Sequence, residues 1–235
     1  SRLLRIFEIS EARLSKNKRD SMPNDSDIIE SLRNRLVNGL FEPGQKLRAE
    51  RLREDYDCSA STIRESLFRL STEGLVDFRE QRGFRMPRCS VQLQHELTQM
   101  RILLESEGAR QSIRHGGVLW EAKLSAAHHK LSHIESRVRG ENTASSLIEL
   151  WSSAELEFHE TLIEACQSDT LKKTHRIIYH QFRQQLITTD QKFVYIPENI
   201  NQHKAILDAA LDRDEALISQ RIYDHLSRNL DPAQT

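Results

Sequence analysis

Residues 59–76, SASTIRESLFRLSTEGLV, leave a chain few ways to fold. Ser59 or Ser61 supplies the oxygen that caps a helix start. Ile63, Leu67 and Leu70 then recur at i, i+4 and i+7, which makes one apolar stripe. Gly74 closes the helix. Ser61, Thr62, Arg64 and Arg69 are left on the outer side, either as a solvated face or as a face shown to a partner. The flanking sequence narrows the choice. Asp25 and Ser26 are placed to cap an earlier helix with the stripe Ile29, Leu32, Leu36, Leu40, which Gly39 and EPGQ (42–45) end. A second helix near 49–56 puts Leu52 and Tyr56 on one side, and DCSA (57–60) joins it tightly to the third. Beyond Gly74, LVDFR and GFRMP alternate as short strands do, with EQRG as the turn between them.

Three helices and a hairpin within residues 25–88 are the layout of a winged helix-turn-helix. The hairpin is basic, with Arg79, Arg82, Arg85 and Arg88 against Glu80. The net charge of -1 conceals this. Residues 1–24 hold six basic and three acidic residues, residues 25–88 twelve of each, and residues 89–235 sixteen against twenty. After Pro87 the periodicity is helical throughout, with segments near 92–115, 118–139, 143–167, 169–188, 198–211 and 213–230, punctuated by HGG (115–117), Gly140, QSD (167–169) and YIP (195–197). Only 8 Gly and 5 Pro interrupt the chain. The expectation is a mainly α protein in three parts. Residues 1–24 are an extension, 25–88 a winged helix-turn-helix with a small β-hairpin wing, and 89–235 an all-α six-helix bundle able to enclose a pocket. The three cysteines have no CxxC spacing, which fits a reducing cytoplasm. No apolar run approaches a membrane span, and SRLLRIFEIS is too short and too charged for a signal peptide.

All ten histidines lie between His95 and His225. Glu155 and His159 share a helix face with Leu162 and Cys166. His203 lies with Ile206, Leu207 and Ala210, and His225 with Ile218 and Ile222. Imidazoles on three apolar faces are costly to bury unless their nitrogens find partners. With a carboxylate one turn before the first, they read as a site for a divalent transition metal: zinc foremost, with nickel, iron or copper chemically compatible. His175, on the stripe Leu171, His175, Ile178, Phe182, is a rival ligand to Glu155. Arg101 sits beside the stripe Leu97, Met100, Leu104, with Glu105 one turn on to hold it. A metal-dependent enzyme or a metal-responsive sensor would use the same residues. The chain lacks a second carboxylate pair at matching spacing, a nucleophile motif and a glycine-rich phosphate loop, so the expectation is a non-enzyme. A helical interaction protein with structural histidines is the third class.

LFEPGQKLRAERLREDYDCSASTIRESLFRLSTEGLVDFREQRGFRM (40–86) resembles the DNA-binding domain of the GntR superfamily of bacterial transcription regulators. The resemblance rests on the Pro-Gly turn, the Ser-x-x-Thr-x-Arg-Glu-x-Leu-x-x-Leu helix, the Glu-Gly-Leu-Val exit and the Arg-Gly-Phe wing. The helical remainder resembles the FCD domain of the FadR-like branch, and its six helices suit the VanR-like subgroup. The resemblance implies a homodimer on double-stranded operator DNA, with the third helix in the major groove and the wing reaching toward the minor groove. It implies DNA contacts at Arg51, Ser61, Thr62, Arg64, Arg82 and Gly83. Ala60 stands where many relatives carry Arg, so one base contact differs and the operator does not carry over. The family's metal ligands fall on Glu155, His159, His203 and His225, with Glu where Asp is usual. Arg101 falls where relatives pair an Arg with the carboxylate of a small organic acid effector.

Overall fold

The computed structural model describes residues 24–137, 145–190 and 198–231. The expected N-terminal extension and the breaks at Gly140 and Tyr195–Pro197 lie outside the described residues. The N-terminal unit runs α1 (Asp25–Val37), β1 (Lys46–Leu47), α2 (Ala49–Leu52) with a 3-10 turn over Arg53–Asp55, α3 (Ala60–Thr72), β2 (Asp77–Arg79) and β3 (Gly83–Arg85). The rest is helical: α4 (Val91–His115), α5 (Val118–Glu135), α6 (Ser145–Leu162), α7 (Asp169–Asp190), α8 (Glu198–Leu211) and α9 (Glu215–Leu226), which ends in a 3-10 turn over Ser227–Asn229.

The α1 cap is Asn24, not Asp25 or Ser26. Its side chain accepts from the Asp27 amide at 2.9 Å, while the Asp27 carboxylate reaches back to the Asn24 amide. Ile28, Leu32, Leu36 and Val37 are therefore the buried face, and Leu40 falls beyond the helix at 58 % exposure. Ser59 caps α3, accepting from the Thr62 amide at 3.1 Å. Ile63, Leu67 and Leu70 are buried as the stripe requires, against Leu32, Leu36, Leu52, Leu75 and Met86. The hairpin is one strand short of the whole sheet. β1 pairs antiparallel with β3, giving the order β1-β3-β2, with Leu47 opposite Phe84. Gly83 opens β3 at φ +71, in the left-handed region where a side chain strains the backbone.

The second core gathers Ala109, Trp120, Leu124, Leu131, Trp151, Phe158, Leu162, Ile206, Ala210, Ile218 and Ile222 from α4, α5, α6, α8 and α9. α6 ends at Leu162, earlier than its apolar pattern implies, because the chain turns through Gln167 at φ +56. Cys166 is thus buried beyond the helix rather than on it. On α4 the inner face is largely polar, with Thr98, Arg101, Glu105 and Ser112 buried along with Leu97. Met100 points outward, 39 % exposed, so the expected apolar stripe is displaced by one residue toward Arg101. None of the described helices is long and apolar enough to cross a membrane.

Candidate functional site

α6, α8 and α9 bring Glu155, His159, His203 and His225 together. One ligand atom from each lies within 4.8 Å of the others, and all four residues are buried. Two of the imidazoles, His159 and His225, are oriented from behind through Nδ1. His159 Nδ1 donates to Glu105 Oε2 at 2.9 Å, His225 Nδ1 to Gln202 Oε1 at 3.1 Å, and His203 Nδ1 lies 3.0 Å from Glu135 Oε1. For His159 and His225 the bond fixes the tautomer with Nε2 unprotonated and raises the basicity of the ring. His159 Nε2, His203 Nε2 and Glu155 Oε2 are buried without a hydrogen-bond partner. Orphaned lone pairs in a dry interior are costly, and a cation removes the cost. Donors about 2.1 Å from one ion stand at most roughly 4.2 Å apart, so small side-chain shifts close the set. The residues therefore fit a divalent transition metal.

Burial lowers the His159 pKa, and its contact with Glu105 only partly offsets this. Burial, with His203 and His159 beside it, pushes His225 well below the ordinary value. Both shifts favour the neutral imidazole, the form that metal ligation requires. Burial alone would raise the Glu155 carboxyl, but the neighbouring Arg183, His159 and Arg101 hold it below its usual value.

His175 does not join the donor set. Its Nε2 lies 3.0 Å from Glu105 Oε1. Glu105, expected to hold Arg101, is also the hub for two histidines, which the sequence pattern did not expose. Its carboxylate takes His159 on one oxygen, and His175 and Arg101 on the other. Burial acts to raise its pKa, and Arg101 and His159 reverse that and hold it well below the usual range. Arg101 is 1 % exposed, with Nε at 2.8 Å and Nη2 at 2.7 Å from Glu105 Oε1. The rings of Tyr179 and Phe182 lie 4.7 and 4.5 Å from its guanidinium carbon. Arg101 Nε is held by Glu105, as the spacing implied, while its Nη2, though close to the same oxygen, is buried without a hydrogen-bond partner. The broad groove along the outer side of α5 and α6 is a different place. There Lys130 pairs with Glu157 at 2.6 Å and Lys123 with Glu164 at 2.7 Å, leaving those charges compensated.

In the winged unit, Arg51, Ser61, Arg64 and Arg82 are exposed, and Thr62 and Gly83 half-buried. Arg64 is ion-paired with Glu50 of α2. The Thr62 hydroxyl lies 3.0 Å from Ser59 Oγ, so it belongs to the cap as well as to the outer face. Ser61, Thr62 and Arg64 stand in the first turns of α3, and Arg82 and Gly83 at the tip of the β2–β3 hairpin.

Residues 24–86 match the model of bacterial regulatory proteins of the gntR family, and residues 96–228 match the FCD domain. The chain belongs to the GntR family. Its relatives include the HTH-type transcriptional regulator BphR of Paraburkholderia xenovorans, 31 % identical over 202 residues, covering 86 % of this chain and 82 % of that one. The HTH-type transcriptional repressor GlaR of Escherichia coli is 27 % identical, covering 83 % of this chain and 89 % of its own. Among solved structures, E. coli McbR/YncC superposes with a TM-score of 0.71 at 16 % identity, over 87 % of this chain and 94 % of that one. That likeness establishes the fold alone. The protein is a GntR-family DNA-binding transcription regulator, not an enzyme.

Proposed function

We propose that the protein is a homodimeric regulator whose operator affinity is set by a small organic acid bound beside a divalent transition metal in the FCD domain. The observation that carries this reading is the set of orphaned donors on Glu155, His159 and His203, inside a domain bonded directly to the winged unit. Bound there, the metal would supply Lewis-acid attraction for an anion. The chain's own part is to hold four buried donors and fix the tautomers of His159 and His225. Zinc, nickel and iron all suit three imidazoles and a carboxylate.

The link between sites runs through α7. His175, Tyr179 and Arg183 face the cluster, while Gln181 Nε2 donates to the Glu73 carbonyl at 2.7 Å and Gln184 Nε2 to the Leu75 carbonyl at 3.0 Å. Those carbonyls lie just past the end of α3, the helix assigned to the major groove. Ser61, Thr62 and Arg64 are its base and phosphate contacts, with Arg51 of α2 beside them and Arg82 and Gly83 those of the wing. One winged unit reads few bases, and a second copy gains affinity by tethering, which supports a dimer.

Two measurements test the reading. Purified protein carries about one transition metal per chain, and His159→Ala or His203→Ala lowers metal content and melting temperature together. Labelled operator titrated with organic acids shows an acid-dependent change in affinity. A wild type that stays metal-free after incubation with zinc and nickel removes the metal. An affinity indifferent to every acid removes the effector. Arg64→Ala should weaken operator binding by about 1–3 kcal/mol if it reads a base. An equal loss on all DNA sequences makes it a phosphate contact instead.

A further inference from the structure

Arg183 is a buried guanidinium with its hydrogen-bonding capacity open. It projects from α7 at 6 % exposure, and its Nη1 lies 3.8 Å from Glu155 Oε2, beyond hydrogen-bond length. Its Nε and Nη2 are buried and have no partner among the described residues. Those two N–H groups form one edge of the guanidinium, and that edge accepts the two oxygens of a carboxylate side by side. The Trp151 ring lies 4.4 Å from the guanidinium carbon and covers one face, so a ligand reaches Arg183 along its edge. Arg101 differs in that its Nε already donates to Glu105, which leaves it no free Nε–Nη2 pair. A charged group buried with two donors unmade is expensive, and an anion arriving at that edge removes the expense.

We infer that Arg183 is the effector-recognition residue of this domain: its Nε–Nη2 edge grips one carboxylate of a small organic acid beside the Glu155–His159–His203–His225 cluster. The inference rests on the proposed acid response and names the residue that confers it. A carboxylate suits the charge better than a phosphate does. Arg101 is neutralised by Glu105, so Arg183 offers a single guanidinium, the complement of a monoanionic group. The neighbouring Glu155 bars an anion from approaching unless its own charge is engaged by a cation, so acid binding should depend on metal loading.

The test uses full-length zinc-loaded protein and calorimetric titration with acetate, glycolate, succinate, benzoate and inorganic phosphate. Wild type is compared with Arg183→Gln and Arg183→Lys, and zinc content and melting temperature are measured for each. An acid that binds wild type should lose about 10- to 100-fold in affinity on Arg183→Gln, the range for a lost charge-assisted pair of hydrogen bonds. Arg183→Lys should recover little, because an ammonium does not reproduce the fork. Zinc content should hold in both variants. Equal acid affinity in wild type and Arg183→Gln overturns the assignment while leaving the effector reading intact. So does an affinity loss that tracks zinc loss and vanishes on reloading, which would make Arg183 a brace for Glu155 only. Phosphate binding in preference to every acid overturns the carboxylate. If no acid binds wild type at all, the effector reading itself fails and the Arg183 assignment falls with it.

Discussion

Glu105 and Arg101 make a buried ion pair whose removal in part is worse than its absence. Arg101→Ala leaves a carboxylate at zero exposure with only imidazoles for company. The expected loss is about 3–5 kcal/mol of stability, read by urea denaturation. Glu105→Gln keeps the shape but weakens the grip on His159 Nδ1, so zinc affinity should fall about 10- to 100-fold with a smaller loss of stability. If Arg101→Ala is as stable as wild type, the pair is not holding the core. His180 gives a pH signature. Burial, with the charges of Arg33 and Arg176 beside it, lowers its pKa from 6.5 to about 3. Below pH 6.5 the unfolded chain takes up a proton that the folded chain refuses, so stability is lost as pH falls from about 6.5 toward 3. Between pH 7 and pH 5 the loss is about 2 kcal/mol. Denaturation at both values should show wild type losing about 2 kcal/mol more than His180→Gln, whose remaining loss comes from the other buried histidines; equal slopes in the two would put the titration elsewhere. The four residues of the cluster were legible in the sequence because each sits on an apolar helical face, two of them at i, i+4. The Arg101–Glu105 pair was legible too, one turn apart on one helix, but the histidine contacts of Glu105 and the place of Arg183 were not. Glu105 meets His159 across 54 residues and His175 across 70, and the periodicity of one helix carries no trace of such partners.

At the scale of elements, α7 is where the two units meet. Its glutamines hold the carbonyls of Glu73 and Leu75, and Gln185 Oε1 accepts from the Ser90 amide at 3.0 Å in the connection to α4. Gln181→Ala with Gln184→Ala should leave fold and acid binding in place and shrink the acid's effect on operator affinity, as measured by fluorescence anisotropy. An undiminished response would move the coupling off α7. Gly74 fits this joint for two reasons. Its φ of +73 strains any side chain, and a Cβ there would stand 2.5 Å from Gln181 Nε2. Gly74→Ala should therefore cost about 1–2 kcal/mol from backbone strain alone and displace Gln181 as well. The helices themselves were readable, since long amphipathic segments declare their period. β1 was not, because two residues show no alternation and their pairing with β3 is set by the turn at Gly44 and the bond from its amide to the Met86 carbonyl at 3.0 Å. The end of α6 was misjudged for a related reason. Cys166 remains buried after the helix stops, so the apolar pattern runs on while the backbone has turned.

For the whole molecule, the proposed linkage has a thermodynamic consequence that no arrangement of side chains can evade. If an acid bound at Arg183 changes operator affinity, operator DNA changes acid affinity by the same factor. A coupling of about 1–3 kcal/mol corresponds to roughly 5- to 150-fold. Metal enters the same cycle. A cation bound only to the folded chain stabilises it by about 2.7 kcal/mol at a free concentration one hundred times its dissociation constant. Chelation should thus lower the melting temperature and, by leaving Glu155 uncompensated, weaken acid binding in step. The decisive measurement is a closed cycle on the zinc-loaded full chain: acid affinity with and without operator, and operator affinity with and without saturating acid. Equal factors on opposite sides, both abolished by chelator and restored by zinc, support one linked system of metal, acid and DNA. An acid effect on DNA that survives complete metal removal separates the effector from the histidine cluster and assigns the cluster to stability alone.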